Sequence, residues 1–283
     1  MAYKAKGRDF VNFIKMQGLG NDFIFIIDKE ENYLKDEIEI AKKVCDRRFG
    51  IGADGLVIIR NSDLADAKMI IINSDGSRAN MCGNAIRCFA KYLYEEGIVK
   101  KENITIETGD GVKIAELFIN KDDKVELVRV NMGKPSFKGE DIKLNNKDEL
   151  IDEVVEINNK KYKLTSLLMG VPHTILINNN EYSMEDGKII EKYDLFKENT
   201  NVNLVKIYSK ESIEVRTWER GAGATLACGT GCCASLVALN KLGLCESKAK
   251  VTTLGGNLIV EIVNDDVFMT GEATFICSGV VLN

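Results

Sequence analysis

The chain repeats itself. Shifting the sequence by 146 residues lays Cys82 on Cys228, Gly83 on Gly229, Leu93 on Leu239, Gly97 on Gly243 and Gly109 on Gly255 without a gap. The two copies open on NMCGNAIRCFA (80–90) and ACGTGCCASLV (227–237). Each then reads as an amphipathic helix of about four turns, stopped at EEGIV or KLGLC and followed by the β-rich runs ITIETGDGVKIAEL or VTTLGGNLIVEIV. A weaker match, needing a four-residue length change, lays GNDFIFII (20–27) on GVPHTILI (170–177), each a strand after a tight turn. A duplicated unit of loop, helix, strand, turn and strand confines the fold to two similar α/β halves.

Size agrees with two domains, since 283 residues is about twice a typical ~100–200-residue domain. The expected division is 1–133, with a C-terminal strand (272–283) returning to it, and 134–271. The charged, proline-containing stretch NMGKPSFKGEDIKLNNKDELIDE (131–153) is the natural linker. A net charge of −5 with scattered basic residues gives no basic face for nucleic acid or an anionic membrane. No apolar run approaches the ~20 residues of a membrane span, and the first residues lack the apolar core of a signal peptide. A cytoplasmic protein is expected. Its eight cysteines are therefore read as reduced thiols. With no C-x-x-C pair and a single histidine, His173, no metal is expected.

If both cysteines sit at helix N-termini, unpaired backbone N–H groups and the helix dipole surround each sulfur. A thiol there should ionise more easily, and the same N–H groups can hold a carboxylate. Two such halves facing across an interdomain cleft would hold one carboxylate between them, with a sulfur on each side of the adjoining carbon. That arrangement suits inversion, one thiolate removing a proton and the other thiol delivering one to the opposite face. The competing reading of each cysteine is a small buried residue at a helix start. GDG (109–111) and LGG (254–256) read as hairpin turns, and GLGND and GAGAT lack the strand and helix context of a dinucleotide loop.

The blocks KMQGLGNDFIFIID, DRRFGIGADGL, NSDGSRANMCGNAIRC, VNMGKPSF, MGVPHTILI and WERGAGATLACGTGCCA together resemble the diaminopimelate epimerase family over essentially the whole chain. The resemblance implies two pseudo-symmetric domains, each a curved sheet around a central helix, with a cofactor-free site between them. It makes Cys82 and Cys228 the acid/base pair. It gives the reacting carboxylate to the N–H groups of Gly83, Asn84, Gly229 and Thr230. Asn21 would help hold the substrate, Asn73 and Asn201 would reach its remote end, and Glu219 with Arg220 would read the distal amino-acid group. A guanidinium such as Arg220 grips a second carboxylate bidentately. The implied partner is an amino-acid substrate, and a homodimer is allowed for.

Two positions depart from the family pattern. Val171 stands where Asn often precedes Pro-His, and a substrate polar group left unpaired there costs roughly 1–3 kcal/mol, enough to change specificity. Ala85 replaces a commoner Gly at the helix start. Histidine is accordingly the runner-up substrate. A thiol redox or metal sensor without turnover, and a binding protein of the same fold, are the readings from other classes. Cys88, Cys232 and Cys233 read as packing residues.

Overall fold

A computed structural model describes residues 10–29, 31 and 36–282 of the chain. Its strands and helices are, in order, β1 (Phe10–Gly18), β2 (Asn21–Ile27), α1 (Glu37–Cys45), β3 (Gly55–Arg60), β4 (Ala67–Asn73), β5 (Arg78–Ala79), α2 (Gly83–Glu95), β6 (Asn103–Thr108), β7 (Gly111–Ile119) and β8 (Val125–Gly133). There follow α3 (Gly139–Ile142), β9 (Glu153–Ile157), β10 (Lys160–Met169), β11 (Val171–Ile177), α4 (Met184–Glu191), β12 (Asn201–Ser209), β13 (Ser212–Glu219) and β14 (Gly223–Ala224). The chain closes with α5 (Gly229–Lys241), β15 (Lys248–Thr253), β16 (Gly256–Val263), β17 (Asp266–Gly271) and β18 (Thr274–Leu282). Two compact units divide it, one running to Val128 and resuming at Glu272, the other spanning Arg129–Gly271.

In the first unit β1 and β2 form a hairpin whose loop, Leu19 and Gly20, has φ of 57° and 82°. β2 pairs parallel with β3, β3 antiparallel with β4, and β4 with both β5 and β6. The β6–β7 hairpin extends the sheet at one side and β18 pairs antiparallel with β1 at the other. β3 is buried along its whole length, as expected of a strand covered on both faces. Ile24, Ile26, Leu56, Ile58 and Ile72 pack on α1 through Ala41 and Val44. One residue away on the opposite face, Phe25 stacks on Tyr92 of α2.

The second unit repeats this order. β9 pairs with β10, β10 forms a hairpin with β11 around Gly170, β11 runs parallel to β12, and β12 pairs antiparallel with β13. β13 carries β14 and runs parallel to β15, which continues through β16 to β17. Strand register agrees with the match of GNDFIFII to GVPHTILI. Phe23 faces Gly55 as His173 faces Asn201, which puts Asn21 and Val171 at equivalent positions.

The central helices have matching ends. Cys82 is the extended residue before α2, and Cys228 holds the same place before α5. At the other end Gly97 and Gly243 take φ of 70° and 73°. Ile98 N–H reaches Leu93 O while Gly97 N–H reaches Tyr94 O, and Leu244 and Gly243 repeat the pair onto Leu239 and Asn240. That is the Schellman stop, which requires a left-handed residue most cheaply supplied by glycine.

Three expectations are corrected. α5 is not amphipathic but buries almost its whole circumference, against β10, β11, β12, β13, β15, β16 and β17; α2 carries the expected amphipathic pattern, yet Asn84 and Arg87 among its polar residues are buried as well. The 131–153 stretch is not a linker, because β8 runs through to Gly133 and Ile142, Leu144 and Leu150 lie in the core beside Tyr162 and Phe196. The ungapped match of Gly109 with Gly255 is one residue out of structural register. Gly109 is the first residue of its hairpin loop and Gly255 the second of its own, so one residue has been lost after α5.

Candidate active site

In the first unit Cys82, Asn21 and Asn84 come together. The N–H groups of Gly83 and Asn84 lie in the first turn of α2, ahead of the first intrahelical bond, from Ile86 N–H to Cys82 O. The Cys82 thiol faces Asn21 Oδ1 at 3.8 Å, and Asn84 Nδ2 donates to the same oxygen at 3.4 Å. The polarity of these amides is determined at both ends. Asp54 can only accept, and it takes Asn21 Nδ2. Arg87 can only donate, and it gives to Asn84 Oδ1 at 2.9 Å. Asn21 therefore turns its oxygen toward the sulfur.

Arg87 is wholly buried and also donates to Gly83 O and Glu272 O, which secures the first turn of α2. Arg47 bridges Asp22 and Asp54, and Lys15 pairs with Asp22. Burial pulls the Asp22 carboxyl upward, but hydrogen bonds from Arg47 and Lys15 together hold it below the usual carboxylate value. Asn73, at the end of β4, donates to Ser77 Oγ at 2.9 Å.

In the second unit Cys228 stands beside Thr230, whose hydroxyl lies 3.4 Å from the sulfur. Burial, reinforced by the charge of Glu219, pushes this thiol well above its ordinary value; the Thr230 hydroxyl and Gly231 N–H oppose the shift and lose. The expectation of an easily ionised thiol is thus corrected for Cys228. At 7% exposure, desolvation outweighs the helix terminus. Gly229 and Thr230 occupy the first turn, ahead of the bond from Cys232 N–H to Cys228 O.

Gly231 is required by space, since a Cβ there would lie 2.3 Å from Asn203 Oδ1. Asn203 accepts from the Thr217 hydroxyl at 2.9 Å and gives its amide to His173 Nδ1 at 3.1 Å. His173 is completely buried, and burial with the charge of Arg220 lowers its pKa to about 3. Its ring is neutral, with Nδ1 as acceptor.

Asn201 is less free than expected of a substrate ligand. Its Oδ1 takes the Arg220 N–H and its Nδ2 gives to Pro172 O, both at 2.9 Å. Arg220 gives a guanidinium N–H to Glu198 O at 2.7 Å, and Glu219 takes the Thr225 hydroxyl at 2.6 Å. Val171, at the start of β11, is 37% exposed. Cys88, Cys232 and Cys233 are fully buried and all eight cysteines are free thiols. Asp54, Arg87, Asn203 and Glu191 are site residues that the sequence reading does not single out; Asp54, inside DRRFGIGADGL, and Arg87, inside NSDGSRANMCGNAIRC, lie in blocks that could have pointed to them. Among the described residues, no three His, Cys, Asp or Glu side chains gather as a metal ion requires, and no helix is long and apolar enough to cross a membrane.

Comparison with known proteins supplies independent findings. Residues 13–138 and 165–276 match the family model described as diaminopimelate epimerase. A protein of that name from Clostridium perfringens is 54% identical over 96% of this chain and 100% of its own length. Another from Methanococcus maripaludis is 46% identical over 95% of this chain and 99% of its own. Among solved structures, a Bacillus anthracis phenazine biosynthesis protein of the PhzF family covers 97% of this chain and 100% of its own at a TM-score of 0.71 and 15% identity. A probable proline racemase from Agrobacterium radiobacter covers 95% and 92% at 0.69 and 16%. At such identities these two share the fold alone. Set beside the cysteine-led helix starts, the family match and the full-length relatives place this chain in the diaminopimelate epimerase family.

Proposed function

We propose that the chain is an isomerase that interconverts LL- and meso-2,6-diaminopimelate by α-proton transfer between two thiols, without a cofactor. It would serve the formation of lysine and of cell-wall precursors in the cytoplasm, as a homodimer. The observation that carries the reading is the paired placement of Cys82 and Cys228 at the starts of equivalent buried helices. The 54% identity to a relative named for this reaction supports the substrate.

In one direction Cys82, as thiolate, takes the α-proton. The electrons of the C–H bond pass into the carboxylate, where first-turn N–H groups of Gly83, Asn84, Gly229 and Thr230 meet the developing charge. Cys228, resting as a thiol, then gives its proton to the opposite face of the carbon. The reverse reaction exchanges the roles. Asn21 orients at Cys82, and Arg220 with Glu219 pairs the distal carboxylate and ammonium.

Purified protein in reductant, given LL-diaminopimelate and nothing else, should yield the meso isomer on a chiral column. Cys82→Ala and Cys228→Ala should each abolish turnover in both directions with unchanged circular dichroism. Full turnover by either variant would overturn the two-thiol reading. Faster inversion of histidine than of diaminopimelate would overturn the substrate and assign Val171 to a changed pocket.

A further inference from the structure

The turn that carries Glu219 and Arg220 is held from behind by a buried carboxylate. Ala222 N–H bonds Glu219 O at 3.1 Å and Gly221 has φ of 77°, so Arg220 and Gly221 are the corner residues of a type II turn. In such a turn the Arg220–Gly221 peptide points its N–H to one side and its C=O to the other; a peptide flip gives the type I form, which glycine also tolerates. Something outside the turn must choose.

Glu191, the last residue of α4, is 4% exposed. Its Oε1 accepts Gly221 N–H at 3.2 Å and its Oε2 accepts the Trp218 indole N–H at 2.8 Å. A buried carboxylate at a helix C-terminus opposes the helix dipole. Here its two oxygens meet donors from residues flanking Glu219 and Arg220 on either side. α4 comes this close because Gly187 faces Trp218, where a Cβ would lie 2.9 Å from Trp218 Cβ. Asn201 fixes the Arg220 N–H and Glu198 O its guanidinium.

We infer that Glu191 is a positioning residue for substrate recognition: by holding Trp218 and the Gly221 N–H it selects the orientation of the Arg220–Gly221 peptide and keeps Arg220 ready for the distal carboxylate. The inference rests on the proposed function of Arg220. Recognition of a remote group contributes alike to ground and transition states, so its loss appears in KM.

Glu191→Gln should raise KM for diaminopimelate about 10-fold with kcat within about 2-fold. In an Arg220→Ala background the same change should add less than about 2-fold, because the residue it acts through is gone. Trp218→Phe removes one donor and keeps the ring; it should raise KM less, also without added effect beside Arg220→Ala, and covers the case of Glu191→Gln failing to fold. Trp218 is the chain's one tryptophan, so its emission checks that each variant retaining it keeps the turn packed. Multiplying losses, or a fall in kcat at constant KM, would overturn the role of Glu191 while leaving the epimerase reading intact. A wild-type protein inactive on diaminopimelate would overturn both.

Discussion

At the scale of single residues, the two sulfurs have unlike surroundings. Cys82 looks at an amide oxygen whose direction Asp54 and Arg87 determine from opposite ends. Cys228 looks at a hydroxyl and an N–H, yet burial and Glu219 keep its proton on. In Cys82→Ala protein, alkylation of Cys228 followed by mass spectrometry should be slow at pH 7 and still rising past pH 9. Thr230→Val should move that rise to higher pH, because the hydroxyl stabilises the thiolate. A plateau below pH 8 would contradict the account. None of this asymmetry was legible in two matching Cys-Gly pairs. The equivalence of Asn21 with Val171 is present already in the match of GNDFIFII with GVPHTILI, whereas a lone Glu191 in a sequence reads as a surface charge and Arg87, though inside NSDGSRANMCGNAIRC, gives no sign of the amide it orients.

At the scale of elements, the starts and stops of α2 and α5 could be read directly, since the N-terminal Cys-Gly and the C-terminal Gly each do a backbone task. The burial of α5 on every side could not. Small residues such as Gly231, Ala234 and Ser235 let α5 approach its strands closely and carry no hydropathy stripe. The 131–153 stretch misled for a related reason: its charges face water while Ile142, Leu144 and Leu150, spaced irregularly, fill the core. Close approach also predicts where α5 is least tolerant. Gly231→Ala sets a methyl on Asn203 Oδ1 and must displace the Asn203, Thr217 and His173 chain. Overpacking of this kind costs about 1–3 kcal/mol, to be read from denaturant midpoints, and activity should fall further than stability does. An unchanged midpoint with full activity would show that the helix start yields easily.

At the scale of the whole molecule, one buried histidine makes stability depend on pH. His173 has a folded pKa of about 3 against an ordinary 6.5, so between these values the unfolded chain binds the extra proton. Its contribution is complete above pH 6.5 and is lost as pH falls toward 3. Asp22 and Asp186, both lowered, add their own loss with the same sign only near and below pH 3.8. His173→Asn, which keeps an acceptor for Asn203, should flatten the stability profile between pH 6.5 and 4; an unaltered slope there would contradict a neutral buried ring. The duplicated architecture itself was legible because two copies had to keep the same helix starts, whereas the lost residue after α5 was hidden by a glycine in each hairpin.

Above all scales stands the claim that two thiols invert one carbon from opposite faces. It is tested most directly by following LL-diaminopimelate in heavy water through the first few per cent of reaction. The account predicts meso product carrying one deuterium at the inverted α-carbon, because the donating thiol has exchanged with solvent, while recovered substrate stays unlabelled. Product that keeps the substrate's own α-proton, or deuterium entering substrate and product at equal rates, would contradict it.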